Sequence, residues 1–418
     1  MPNKYNPFRP DKIVPPGMFC GRVAEIEVID QCLIQTRAAN PQHFLIEGER
    51  GIGKSSLFFL EAAVAHGKIK TISNESVLFL TLNVVLEAGD NYYSIIKKIS
   101  SELQRAARSQ DKLKDITLKT WELISRIEAA GIKIKAPNVD IDEHKLLTHM
   151  QDDFVSVISS LTSEDGILLL IDEADQPGSE GNLGRLCKLL TEHLTRSQCD
   201  RLCIGLAGLP GLISTLRDSH ESSPRLFRTM NLMPLEDDEC KRVIDFGLKD
   251  AEKNGVTVTA TDEAKQFIAR ACEGYPHFLQ EFSYCSYEID TDNKIDLPDV
   301  TQSLFGENGV FEQLGRKYFN KYYNSPDSDD YRRVLDTMAL HSESWVDRAT
   351  IIRESNIKAS IVDNALRALK NRQTIIQNEQ LRGEYKLPTR AFAVWIKVRG
   401  LAEKSQAEHS KEPTFFKE

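Results

Sequence analysis

At 418 residues the chain is long enough for two or three domains with substantial cores, and its longest apolar runs, such as 167–171, are far too short to cross a bilayer. The opening MPNKYNPFRP has no apolar signal core, and the eight cysteines (20, 32, 187, 199, 203, 240, 272 and 285) lack C-x-x-C spacing, so a soluble cytoplasmic protein with reduced, mostly buried thiols is expected. A net charge of −9 argues against a uniformly nucleic-acid-binding surface, but the charge is uneven: residues 331–400 carry thirteen Lys/Arg against seven Asp/Glu, which leaves a net −15 on the rest.

Residues 1–18 read as an extended, Pro-rich segment ending at Pro15-Pro16-Gly17, and a helix follows from Gly21. HFLIEGERGIGKSS (43–56) is then an apolar strand, a glycine turn and a helix start, the context a phosphate-binding loop requires. Gly48, Glu49, Arg50, Gly51, Ile52 and Gly53 form the loop, whose glycines let backbone N–H groups and the next helix's N-terminus face the phosphates of a nucleoside triphosphate. Lys54 supplies a point charge for the β/γ oxygens, Ser55 a hydroxyl for Mg²⁺, and Ser56 continues the helix to about His66. VLFLTLNVV (77–85) is a second buried strand, followed by helices at 92–108 and 111–130, and the alternation in GIKIKAPNVDID (131–142) suggests a small strand or hairpin.

GILLLIDEAD (166–175) is apolar on both faces, as a central strand of a parallel sheet must be. At its carboxyl end Asp172 is a candidate Mg²⁺ ligand, through water, and Glu173 a candidate base for the attacking water. Helix 183–197 and strand 202–208 complete an α/β series, the pattern of a parallel sheet covered on both sides. Past Pro234 helical patterns at 236–253, 261–272 and 277–288 predict an all-helical lid, and NSPDSDD (324–330) a linker. Three helices (330–341, 347–354, 358–371), then strand-like TIIQNEQ and EYKLPTRAFAVWI around Leu381-Arg382-Gly383, predict a winged helix-turn-helix. Its third helix would expose Lys358, Arg367, Lys370 and Arg372 to duplex DNA, although winged helices also dock proteins. The expected division is a segment 1–18, a P-loop core 19–234, a lid and linker 235–325, a winged helix 326–400 and a polar tail 401–418.

Together these motifs resemble the AAA+/STAND-type P-loop ATPases related to archaeal ATPases and origin-recognition initiators, over roughly residues 6–400. The resemblance implies that Phe19, Gly21, Arg22 and Glu25 match an N-terminal box lying against the nucleotide base. It implies that Pro276 in GYPHFLQEF (274–282) packs near adenine, and that Arg225 or Arg228, preferably the latter, reaches the γ-phosphate of a neighbouring subunit in an ATP-dependent homo-oligomer. Two departures stand out. Strand 202–208 leads into Leu206-Ala-Gly-Leu-Pro210 where relatives place a polar sensor residue, and the lid offers His277 where a sensor arginine is expected. These departures favour slow, conditional ATP hydrolysis and a nucleotide-controlled switch. The switch would serve DNA targeting, or a defence or mobile-element system with a separate protein effector; a scaffold with negligible turnover is the third reading.

Overall fold

The computed structural model describes residues 4–110, 113–114, 116, 118–129, 143–305, 309–324, 328–341, 344–372, 374–378, 381–388, 392–397 and 399–400. The hairpin expected at 131–142, the centre of the 324–330 linker and the tail 401–418 lie outside these residues. The chain divides into two compact units, one of Ile13–Gly48 with Gly53–Met233, the other of Met1–Lys12, Glu49–Ile52 and Pro234–Glu418.

The first unit runs α1 (Val23–Arg37), β1 (His43–Glu47), α2 (Lys54–Ala65), β2 (Phe79–Val85), α3 (Tyr92–Ser109), α4 (Lys119–Ala129), α5 (Glu143–Ser160), β3 (Gly166–Asp172), α6 (Leu183–Arg196), β4 (Leu202–Gly208), α7 (Leu212–Ser219) and β5 (Phe227–Asn231). Among the described residues the five strands form one parallel sheet in the order β2-β3-β4-β1-β5. The central strands β3 and β4 are almost wholly buried, which is why their sequences are continuous apolar runs. Gly205 sits where a Cβ would lie 2.4 Å from the Phe44 ring, so the glycine makes the room that lets Phe44 be fully buried.

The strand order fixes where a ligand can sit. From β1 the chain crosses to the far edge at β2, returns through adjacent β3 and β4, and then skips past β1 to β5 at the other edge. Right-handed crossovers in opposite directions place helices on opposite faces. Accordingly α1 and α2 pack together, and α3, α5, α6 and α7 form the other layer. The reversal leaves an open switch point at the carboxyl ends of β1, β4 and β3.

The second unit continues with α8 (Asp237–Lys253), β6 (Thr259–Ala260), α9 (Asp262–Ala271), α10 (Pro276–Ile289), β7 (Lys294–Ile295), α11 (Leu297–Phe305), α12 (Val310–Leu314), a π-helical stretch (Gly315–Phe319) and α13 (Asn320–Asn324). The N-terminal segment belongs to this unit: Lys4 Nζ lies 2.6 Å from Asp290 Oδ2, Tyr5 Oη donates to Asp250 at 2.7 Å, and Phe8 packs on Gly247. The lid is helical apart from the two-residue parallel bridge of β6 with β7, where the sequence suggested no strand.

The winged helix follows as α14 (Asp329–Leu340), β8 (Val346–Asp347), α15 (Arg348–Ser355), α16 (Ala359–Asn371), β9 (Ile376–Gln377) and β10 (Glu384–Lys386), with its antiparallel sheet ordered β8-β10-β9. Gly383 adopts φ +99° at the wing turn, a conformation suited to glycine. One expectation is corrected: EYKLPTRAFAVWI is a strand only over Glu384–Lys386, and residues 392–397 are helical. A helix places Phe392 and Trp395 on one face, their rings stacked 6.2 Å apart and packed on Phe319 at 5.4 and 5.5 Å, and this ring cluster overrides local strand preference. All eight cysteines are free thiols, seven of them buried, and among the described residues no helix is long and apolar enough to cross a membrane.

Candidate functional site

The loop after β1 takes the shape its glycines permit. The Gly48 N–H donates to Gly208 O at 3.2 Å, and Gly51 and Gly53 adopt φ +79° and +103°. Lys54 follows as the first residue of α2, only 8% exposed, its ammonium donating to Gly48 O at 2.7 Å, so the cation is held just past the end of β1. Ile52 is buried, Arg50 is exposed, and the Ser56 hydroxyl accepts from the Val14 N–H at 3.3 Å. Within the second unit, Glu49 Oε2 accepts from the Tyr275 hydroxyl at 2.7 Å and Gly51 O from the His277 N–H at 3.3 Å; Pro276 beside them is the first residue of α10.

Two residues 117 positions apart meet at the ends of β3 and α2: Ser55 Oγ donates to Asp172 Oδ2 at 2.6 Å. A hydroxyl and a carboxylate so disposed form a hard-oxygen pair of the kind Mg²⁺ takes, and they fit the ion expected with a triphosphate. Asp172 Oδ1 accepts from the Glu173 N–H at 2.9 Å. Glu173 itself has φ +53°, the left-handed region, which costs a non-glycine residue on the order of 1–2 kcal/mol. The strained residue lies at the carboxyl end of the strand that carries Asp172. Its carboxylate makes no hydrogen bond among the described residues.

Two carboxylates that sequence reasoning did not place in the site organise the neighbouring backbone. Glu47, at the end of β1, accepts from the Gly211 and Ile213 N–H groups at 3.0 Å each and so caps α7, whose own N-cap, Gly211, has no side chain to do it. Asp175 accepts from the Leu209 N–H at 2.9 Å. The only sequence signals were a glutamate closing β1 and an aspartate three residues past Asp172.

Of the other expected residues, Phe19 is half-buried after a 3-10 turn (Pro16–Met18), and Gly21 and Arg22 take φ +76° and +62° to turn the chain into α1. Arg22 is 8% exposed, with Nη1 3.8 Å from Glu25 Oε1. Arg225 lies in a 3-10 turn (Ser223–Leu226) and Arg228 on edge strand β5; both are exposed, neither forms an ion pair among the described residues, and Arg228 donates to Gln31 Oε1 at 3.1 Å. In the winged helix Lys358, Arg367, Lys370 and Arg372 are all exposed. Lys370 reaches Gln377 Oε1 at 2.5 Å, whereas Arg348 is neutralised by a bidentate pair with Asp363 at 2.5 and 2.8 Å.

Below the loop, two turns into α2, Glu61 is fully buried and neither carboxylate oxygen has a hydrogen-bond partner. Burial, with Asp30 adding repulsion, pushes its carboxyl well above the usual range. Nearby His43 is held neutral by burial, its pKa lowered to about 4, with Nδ1 accepting from the Ile204 N–H at 3.2 Å.

No family model matches the chain. It is 25% identical over 319 residues to an uncharacterized HTH-type transcriptional regulator of Methanocaldococcus jannaschii, covering 73% of this chain and 71% of that protein. Among solved structures it is similar to a Walker-type ATPase of Pyrococcus abyssi (17% identity, TM-score 0.48, 91% of this chain and 96% of that one). It is also similar to the Aeropyrum pernix ORC2 protein in its ADPNP and ADP complexes (14% identity, TM-score 0.49, 96% and 98%).

Proposed function

We propose that this chain is an ATP-binding and ATP-hydrolysing switch whose nucleotide state governs self-assembly and engagement of DNA or a partner protein. The observation that carries the reading is the 2.6 Å hydrogen bond from Ser55 to Asp172, which joins the start of α2, where Lys54 is buried, to the end of β3, where Glu173 is left-handed. Lys54 and the loop N–H groups bind and orient the triphosphate; Glu173 accepts the proton of the attacking water. Mg²⁺, held by Ser55 and, through water, by Asp172, would neutralise phosphate charge when bound. Because β4 leads into Leu209-Pro210 with no polar side chain for the water, turnover is slow unless a partner supplies what is missing. In an oligomer Arg228, or Arg225, reaches the neighbouring subunit's γ-phosphate.

The test is ATP turnover by the purified protein while duplex DNA is titrated in, with Glu173→Gln as the blank. Turnover absent from wild type and Glu173→Gln alike would leave a nucleotide-stabilised scaffold. The exposed cations of α16 and the HTH-type relative favour DNA as the partner; turnover that DNA leaves unchanged redirects the search to a protein effector, as in a defence or mobile-element system.

A further inference from the structure

We infer that Asp175 is a positioning residue for the hydrolytic base, doing through the backbone what a polar side chain at the end of β4 would otherwise do through the water. The inference rests on the ATPase reading above and adds to it a residue and a mode of action.

Glu173 stands in an unfavourable backbone conformation, so something outside it must hold it there. Three contacts do so. The Ala174 N–H donates to Ala207 O at 2.8 Å, extending the pairing of the two strands past their ends. The Gln176 N–H closes a turn on Glu173 O at 3.0 Å. The third is the Asp175 carboxylate, whose Oδ1 accepts from the Leu209 N–H at 2.9 Å while Oδ2 accepts from Gln176 Nε2 at 3.0 Å. One side chain therefore ties the residue after β4 to the turn that presents Glu173.

Gly208 is matched to it, because a Cβ there would lie 2.7 Å from Asp175 Oδ1 and 3.2 Å from Asp175 N. A larger residue at 208 would crowd the Asp175 carboxylate and, at 2.9 Å, Leu212 Cδ2. The backbone clamp and the missing polar sensor thus occupy the same place, the exit from β4 into Leu209-Pro210-Gly211.

The experiment compares Asp175→Ala, Asp175→Ser, Asp175→Asn and Gly208→Ala with wild type and Glu173→Gln in two readouts: Mg-ATP affinity by fluorescent-nucleotide titration, and kcat under saturating ATP. Asp175→Ala and Asp175→Ser should lower kcat by about tenfold or more with affinity changed less than about twofold, the signature of lost orientation. Asn retains an acceptor for the Leu209 N–H and should restore most of kcat. Gly208→Ala should reproduce the defect without altering Asp175, and serves if the position-175 variants fail to fold. Wild-type turnover that Glu173→Gln abolishes but Asp175→Ala and Gly208→Ala leave intact would overturn this inference alone. Equal losses of affinity and kcat would reduce Asp175 to a structural residue, and absence of wild-type turnover would overturn both readings.

Discussion

Helix α2 carries two charged regions that are treated in opposite ways. At its N-terminus Lys54 and Ser55 are supplied with partners at 2.7 and 2.6 Å, and the polar groups are poised. Two turns later Glu61 is sealed in the core with none. Lys54 and Ser55 keep their polar groups hydrogen-bonded, whereas burial without a partner disfavours the ionised form of Glu61. The same helix therefore combines a hydrogen-bonded polar end with a core position that disfavours ionisation.

The largest expected effect breaks the first half of this contrast. Lys54→Ala should abolish measurable ATP binding, and Glu173→Gln should retain binding but lower turnover by about 10²–10⁴-fold, checked by equilibrium titration and phosphate release. Next is His43, on the sealed side. Its folded pKa of about 4 lies below the unfolded value near 6.5, so the unfolded chain binds the proton first and stability falls as pH drops between these values. That loss amounts to about 3 kcal/mol by pH 4. His43→Asn, which keeps an acceptor for Ile204, should flatten the acid side of the stability profile in urea titrations.

Glu61 runs the other way. Its folded pKa is raised, so the stability it contributes is fully present below its unfolded value of 4.5 and declines as pH rises above it. Glu61→Gln should raise the melting temperature by about 2–4 °C at pH 8, with a smaller change at pH 5. The smallest effect concerns the winged helix: if it contacts DNA, Lys370→Ala should weaken binding uniformly and reduce the salt slope by about one.

How much of this the sequence discloses depends on where the physical cause lies. The loop, β3 and β4 are legible because glycines and doubly buried apolar runs are local signals. Strand β5 is not: FRTMN is an edge strand exposed at three of its five positions, and only pairing with β1 makes it a strand. Residues 392–397 read as strand, and only the meeting of the Phe319, Phe392 and Trp395 rings makes them a helix. The caps made by Glu47 and Asp175 join groups up to 166 residues apart, a separation that no window along the chain can see. The Ser55–Asp172 contact was anticipated only because phosphate loops and acidic strand ends occur together as a chemical unit.

The N-terminal segment on α8 and α10 bears on synthesis. Lys4 is bonded to a residue 286 positions later, so this segment finds its place only after Asp290 has been made. Residues 13–233 can complete their sheet while that segment waits, but the second unit cannot close until α10 has emerged. A fragment of the second unit would therefore have to be built with residues 4–12 supplied in trans or joined by a linker.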